Sequence, residues 1–334
     1  MRRRLLLSSS GGGGTDPSQA APLEVAFYDG SDIVIRKQED WQDGETPIGI
    51  VVVPGYHDRY GDGSCGVMSL VGMDYKHPKT GIPITGDSQI DDVHMYWGHY
   101  NALVGNNIFT STTALMSSDN YIPYQTNSAS TACTIQGGSN IVWPYAGNPT
   151  FPTSGASMAY TNTGGYVQAT TGKSGCDFNG IRNTAALYVA TRTAAQWTAS
   201  TVNNAAGTAS TPAAACCGRF KTVGTKSFLD VFSGITSNDL NYGTPTSTKT
   251  NKGFWYLPAE GELCYIPRNK FEIYKTILAL NQKYGNVGVQ LNGYFYWSSS
   301  EYYDNNAWYM DISTGRVYNY DKESVRCVRA FMRL

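Results

Sequence analysis

The sequence offers few side chains that could do bond-making chemistry, and their spacing restricts them further. The histidines are His57, His77, His94 and His99, the last two flanking Met95-Tyr96-Trp97-Gly98. A zinc site needs a matched tetrahedral ligand set, and this spacing is no signature of one, so structural histidines are expected and no metal is assigned. Asp91 and Asp92 carry the oxygens that Ca²⁺ takes, but an acidic turn explains them equally well. Ser298-Ser299-Ser300 lacks the GxSxG frame of a nucleophile elbow. Glu260 and Glu262 are two residues apart on a short predicted helix, so they do not face one another as a glycosidase pair does. No glycine-rich phosphate loop lies between a strand and a helix. Cys327 has Arg326 and Arg329 close in sequence, and cations lower a thiol pKa, yet a cysteine within a strand is ordinarily core. No catalytic residue and no cofactor are assigned.

The seven cysteines (Cys65, Cys133, Cys176, Cys216, Cys217, Cys264, Cys327) cannot all pair and form no paired CxxC. Buried thiols in a reducing compartment are the expectation for most of them.

The chemistry the sequence does concentrate is that of contact. Tyr294, Tyr296, Trp297, Tyr302, Tyr303, Trp308, Tyr309, Tyr318 and Tyr320 lie within one stretch, among Asp304, Asn305, Asn306, Asp311, Asn319 and Asp321. Tyrosine gives a large amphipathic contact area at low entropic cost, and Asn, Ser and Asp add adaptable hydrogen bonds, as in paratopes. Part of such a set must be core. Trp297, Trp308, Met310, Ile312 and Val317 are assigned to the buried side, leaving Tyr302, Tyr303, Asp304, Asn305, Tyr309, Tyr318 and Tyr320 for the surface.

The elements that must position these residues follow from periodicity. Leu23 to Ile35 reads as a β-hairpin around Asp29-Gly30-Ser31-Asp32, and Ile48–Val53 and Gly66–Met73 as strands. Helices are expected over Asn183–Ser200, Ala213–Phe220, Ala259–Tyr265 and Asn269–Tyr284, the last closed by Gly285 and carrying an apolar stripe of Ile273, Ile277 and Leu280, widened by Tyr274 and Leu278. Strands return at Tyr294–Trp297, Ala307–Ile312, Arg316–Tyr320 and Ser324–Phe331, with a turn at Ser313-Thr314-Gly315. Strands at both ends with helices between predict an α+β domain whose terminal strands pair. Residues 101–175, rich in Ser, Thr, Asn and Gly, are expected to be an insertion of short strands and ordered loops.

Composition excludes several classes. Only 51 of 334 residues are charged, or 15%, against roughly 25% in an ordinary soluble domain. A net charge of -1 gives no basic face for nucleic acid, and no run approaches the ~18 apolar residues of a membrane span. The start, Met1-Arg2-Arg3-Arg4-Leu5-Leu6-Leu7 and then Gly11 to Gly14, has three leucines where a signal peptide needs about seven apolar residues or more. Residues 1–21 read as a flexible arm, with residues 22–334 as the folded domain.

Five segments together resemble a known family. They are Asp177-Phe178-Asn179-Gly180-Ile181-Arg182-Asn183-Thr184, Trp255-Tyr256-Leu257-Pro258-Ala259-Glu260-Gly261-Glu262-Leu263, Tyr296-Trp297-Ser298-Ser299-Ser300-Glu301-Tyr302, Asn306-Ala307-Trp308 and Val325-Arg326-Cys327-Val328-Arg329-Ala330. In this order they look like the C-type-lectin-fold variable proteins diversified by retroelements, common in gut Bacteroides and their phages, a fold shared with formylglycine-generating enzymes. The resemblance is strong from Cys176 to Phe331, moderate from Leu23 to Tyr100 and absent over the insertion. It implies a C-type lectin-like fold with a variable ligand-binding region at about 294–331. There, adenine-directed mutagenesis rewrites Asn-type codons.

Carried over by motif, the variable positions are Tyr302, Tyr303, Asp304, Asn305, Tyr309, Asp311, Tyr318, Asn319 and Tyr320. Trp255, Trp297, Trp308, Arg326 and Arg329, with Ser298 to Ser300, are the implied fixed scaffold. The implied function is a non-enzymatic receptor-binding protein at a phage tail tip, assembled in the host cytoplasm and carried on the virion. Its expected partners are a bacterial surface protein or glycan, other tail proteins through residues 1–14, and two further copies in a homotrimer. A bacterial cell-surface adhesin of the same fold is the alternative. A formylglycine-generating-type enzyme using Cys327 or Cys264 is a more distant one, because that family's C-terminal cysteine pattern is missing around Cys327. No Glu-Pro-Asn or Gln-Pro-Asp tripeptide is present, so Ca²⁺-dependent sugar binding is not implied.

Overall fold

The computed structural model describes residues 13–57, 60, 63–74, 94–101, 180–191, 197, 202–235, 252–291, 295–301 and 305–334. In chain order the strands are β1 (Val25–Tyr28), β2 (Ile33–Arg36), β3 (Thr46–Val53), β4 (Gly66–Gly72), β5 (Met95–Tyr96), β6 (Trp255–Tyr256), β7 (Phe295–Glu301), β8 (Asn306–Asp311), β9 (Arg316–Asp321), β10 (Val325–Arg326) and β11 (Arg329–Arg333). The helices are α1 (Gly180–Thr191), α2 (Pro212–Arg219), α3 (Phe228–Phe232), α4 (Glu260–Leu263) and α5 (Tyr265–Tyr284). The architecture is α+β, with antiparallel sheets and few helices.

The main sheet has six strands in the order β2-β1-β3-β4-β11-β6. Its opening hairpin forms as the sequence predicts. The Asp29 carboxylate accepts from the Ser31 and Asp32 amides at 2.8 Å each, and Gly30 supplies a φ of 102°. β3 and β4 are continuous apolar runs, buried on both faces. The helix α5 packs against β3, burying Ile273, Ile277 and Leu280. Leu278, expected to widen that stripe, is instead 49% exposed.

α5 starts at Tyr265, four residues earlier than predicted, because Cys264 is already helical (φ -59°, ψ -18°) and joins it to α4. Pro267 is its third residue, where the missing N–H has no intrahelical partner to lose. The helix α1 starts at Gly180, three residues before its predicted start, and follows the predicted span to Thr191; residues 192–196 and 198–200 lie outside the described residues.

Three expectations are corrected. The C-terminal strand enters the sheet of the N-terminal strands, but it lies between β4 and β6 and does not pair with β1. A strand has two hydrogen-bonding edges, and those of β1 are taken by β2 and β3. The predicted single last strand is two, β10 and β11, interrupted at Cys327-Val328 and belonging to different sheets. The packed body also begins before residue 22. The Thr15 amide donates to Ile35 O at 2.8 Å, Asp16 caps a 3-10 turn over Pro17–Gln19, and Ala20 is fully buried. The rest of the arm and all of the insertion beyond Asn101 lie outside the described residues.

A second sheet, β7-β8-β9, carries the aromatic-rich sequence. It is locked to the body by buried polar joints. The Ser298 hydroxyl donates to Trp308 O (2.9 Å) and the Ser299 amide to Pro258 O (2.7 Å). The Asn183 amide donates to the Ser299 hydroxyl (3.0 Å) and the Glu260 amide to the Ser300 hydroxyl (3.0 Å). Lys322, fully buried, pairs with Glu301 at 2.6 Å beneath the Trp97 ring. The guanidinium of Arg329 holds three carbonyls, those of Ser69, Val289 and Gln290.

Candidate ligand face

Side chains alternate across a strand, and the register sorts those of β7-β8-β9 onto two faces. Tyr296 opposes Met310 and Trp308 opposes Asn319 on the inner face. There Tyr296, Trp308 and Met310 are at most 1% exposed. The outer face carries Phe295 and Trp297 from β7, Ala307, Tyr309 and Asp311 from β8, and Tyr318 and Tyr320 from β9. Tyr309 and Tyr318 stack with centroids 5.6 Å apart, and Phe295 and Trp297 meet Tyr309 edge-on at 5.4 and 5.9 Å. Edge-on and offset-stacked pairs are the favoured arrangements for ring quadrupoles.

Arg326 completes this face. Residues 325–327 run beside β7, since the Cys327 amide donates to Phe295 O and the Trp297 amide to Cys327 O, both at 3.0 Å. β10 pairs with β5 on its other side. That course lays the Arg326 guanidinium over the outer face, 4.8 Å from the Tyr309 centroid, 4.9 Å from Tyr320, and 5.4 Å from both Phe295 and Trp297. Its Nη1 donates to Val325 O at 2.8 Å. Among the described residues it forms no ion pair with a carboxylate. Each cation–π contact stabilises by about 0.5–1 kcal/mol near the surface. Burial raises the Tyr309 hydroxyl pKa above its ordinary value, while Arg326 pulls it the other way. The rim is open, with Tyr320 49%, Phe295 39% and Val325 36% exposed.

The predicted contact residues divide in this frame. Tyr320 is exposed and Tyr318 half-buried, as expected of a surface, and Asn305 is half-buried at the mouth of β8. Tyr309 is buried, against expectation, because Arg326, Phe295, Trp297 and Tyr318 enclose it. Asp311 is buried too, and its carboxylate organises the hairpin turn. It accepts from the Ser313 amide (2.8 Å), the Ser313 hydroxyl (2.6 Å) and the Thr314 hydroxyl (2.6 Å). Burial raises its pKa, but those hydrogen bonds outweigh burial and hold it below the ordinary carboxylate value.

Asn319 lies on the inner face beside Asn306, their side-chain amides 3.1 Å apart, so it does not share a face with Tyr318 and Tyr320. Tyr302, Tyr303 and Asp304 lie outside the described residues. Of the predicted scaffold, Trp255, Trp297, Trp308 and Arg329 are buried. Arg326 is only half-buried and belongs to the face itself. Sequence reasoning did not single out Phe295 or Val325. The alternation Phe295-Tyr296-Trp297 carried the signal for the first, since a buried Tyr296 puts Phe295 on the other side.

The other reactive groups serve the fold. Cys264 and Cys327 are buried, and burial pushes the Cys264 thiol well above its ordinary pKa, the reverse of an activated nucleophile. Cys65, Cys216 and Cys217 are likewise buried free thiols. Glu262 accepts from the Tyr60 hydroxyl (2.7 Å), the Tyr256 hydroxyl (2.5 Å) and the Ala259 amide (2.6 Å), tying β6 to α4. His57 Nδ1 lies 3.0 Å from the Tyr265 hydroxyl. Among the described residues no cluster of three His, Cys, Asp or Glu could hold a metal ion, and no helix is long and apolar enough to cross a membrane. Asp91, Asp92 and His77 lie outside the described residues.

No protein-family model matches the chain, and no curated protein matches it. Among solved structures, the chain is similar to a fimbrial protein from Bacteroides ovatus ATCC 8483, at 14% identity and a TM-score of 0.40. The match covers 94% of this chain and 49% of the fimbrial protein, so the chain spans about half that protein's length. A likeness this loose carries no argument about fold family or function.

Proposed function

We propose that this chain is a non-enzymatic receptor-binding protein of C-type lectin-like fold, a retroelement-diversified variable protein. Its β7-β8-β9 face binds a bacterial surface ligand, as at the tip of a phage tail. One observation carries the reading. The sheet buries its inner face in the core and presents rings on its outer face, where Tyr320 and Phe295 stand half in water. Side chains there can be exchanged while strands and helices hold the backbone, which is how a rigid scaffold supports a changeable binding surface. Tyrosine and arginine, which meet on this face, are also among the residue types that carry most binding energy at interfaces. Among the described residues, the buried Cys264 and Cys327 and the fold-serving Glu262 carboxylate lend the enzymatic alternative no support.

The test is attachment to cells. Fluorescently labelled protein is measured by flow cytometry on a panel of gut Bacteroides strains, alongside a Phe295→Ser/Tyr320→Ser double variant. The reading expects binding to some strains, loss of it in the variant, and melting temperatures within a few degrees of each other. Unchanged binding by the variant removes this face from the reading. The diversification claim is tested in the flanking DNA. A near-copy of the codons for residues 294–331, differing only at adenines and lying beside a reverse transcriptase, is the expected finding.

A further inference from the structure

Arg326 is the feature that the reading above leaves unexplained. A guanidinium carries five donors; that of Arg326 donates from Nη1 to the neighbouring Val325 carbonyl and also hydrogen-bonds the Tyr309 side chain, which leaves most of its donors for a ligand. The Nε is buried without a hydrogen-bond partner. Among the described residues, the groups packed around the cation are four aromatic rings, and it forms no ion pair with a carboxylate. The carboxylate on the same face, Asp311, is committed to Ser313 and Thr314. The flanking cations do not reach this surface, since Lys322 is fully buried against Glu301 and Arg329 is fully buried on the carbonyls it holds. The result is a positive charge in an aromatic setting, with exposed rings, Tyr320 and Phe295, at 4.9 and 5.4 Å.

We propose that this site takes a carboxylate-bearing sugar residue of an acidic surface polysaccharide. The inference rests on the reading of this face as the ligand face and names its ligand class. The guanidinium pairs with the carboxylate through its remaining donors, and charge-assisted bonds of this kind are the strong ones. The exposed ring of Tyr320 or Phe295 packs against the C–H face of the pyranose. A uronic acid has both a flat apolar face and a carboxylate on one small ring, and the site offers matching partners within about 5 Å of each other. An acidic peptide supplies the carboxylate without a stacking face, so it uses half of the site. A net charge of -1 gives the protein no bulk attraction for a polyanion, so binding would come from a local cation.

The experiment uses the full chain and measures binding to polygalacturonic acid by biolayer interferometry. Its fully methyl-esterified form and poly-glutamate are run in parallel. The expected result is salt-sensitive binding to the acid, at least tenfold weaker binding to the ester, and weaker binding to poly-glutamate. Arg326→Gln and Tyr320→Ser should each weaken binding to the acid about tenfold or more, with Arg326→Lys intermediate because it keeps the charge and loses the planar stack. Should Arg326→Gln fail to fold, the ester comparison and Tyr320→Ser still decide.

Equal binding of acid and ester overturns carboxylate recognition, and stronger binding of poly-glutamate overturns the choice of sugar. Absence of binding to polygalacturonic acid overturns the inference, while loss of cell attachment in Phe295→Ser/Tyr320→Ser leaves the broader reading standing. If that variant still attaches to cells, the broader reading fails instead.

Discussion

Two tyrosines that look alike in the sequence are separated by their surroundings. Tyr320 is 49% exposed at the end of the outer face, whereas Tyr309, paired across the sheet with Trp297 and Tyr318, is 8% exposed. Tyr320→Ser should therefore lower unfolding free energy by no more than about 1 kcal/mol, the worth of its contact with Arg326. Tyr309→Ser should cost roughly 3 kcal/mol, as for a large aromatic removed from a packed site. Urea unfolding of both variants checks this, and equal costs would undo the assignment of Tyr309 to the packed layer. Asp311 makes a prediction about pH. Its folded pKa is depressed, so its contribution is present above the ordinary carboxylate value of about 3.9 and is lost as pH falls through the lower folded value. Asp311→Asn should thus be less stable than the parent by about 1–2 kcal/mol at pH 7, with the gap narrowing below about pH 3.9. A gap that stays constant in acid would mean that the charge contributes nothing. The sequence located these residues in one stretch but could not rank them, because exposure here depends on Arg326, which arrives from a different strand.

Secondary-structure elements were more legible than contacts. The hairpin of β1 and β2, the three strands of the aromatic sheet and the body of α5 all carry local signals: turn residues between apolar runs, period-two alternation, and an apolar stripe. The Gly285 stop also reads locally. It adopts φ 72°, and its amide donates to Asn281 O at 3.0 Å. Gly285→Ala should cost about 1 kcal/mol through that left-handed backbone. A thermal melt checks it, and an unchanged or raised midpoint would show that the cap relaxes. The break between β10 and β11 was not legible. Val325 to Phe331 has unbroken strand propensity, and what divides it is tertiary. Arg326 is drawn to the aromatic face, while Arg329 is drawn to the carbonyls of Ser69, Val289 and Gln290.

At the scale of the whole molecule, the N-terminal strands are completed by the last five-residue strand. β11 sits inside the main sheet, hydrogen-bonded to β4 on one side and β6 on the other, and every one of its residues is buried. The class α+β followed from the order of predicted elements, but strand order did not, since one sequence carries no record of which edge a strand meets. Deleting residues 329–334 should abolish cooperative unfolding, because it removes an interior strand and leaves two apolar edges unpaired. A sigmoidal urea transition in the truncated chain would show that the sheet closes without it. Pairing between strands some 260 residues apart also predicts slow folding, in line with the cost of closing long loops before their contacts form.

On the proposed diversification of the stretch before it, the position of β11 decides which gene copies give a folded chain. The codons for the ligand face are read immediately before those for the strand that seals the core. A stop codon or frameshift introduced anywhere in the face deletes or scrambles β11 as well, and the product cannot close its main sheet. Substitutions that leave the frame intact keep Arg329–Arg333 in the chain. On that proposal, any copy that folds has been read through to its last strand.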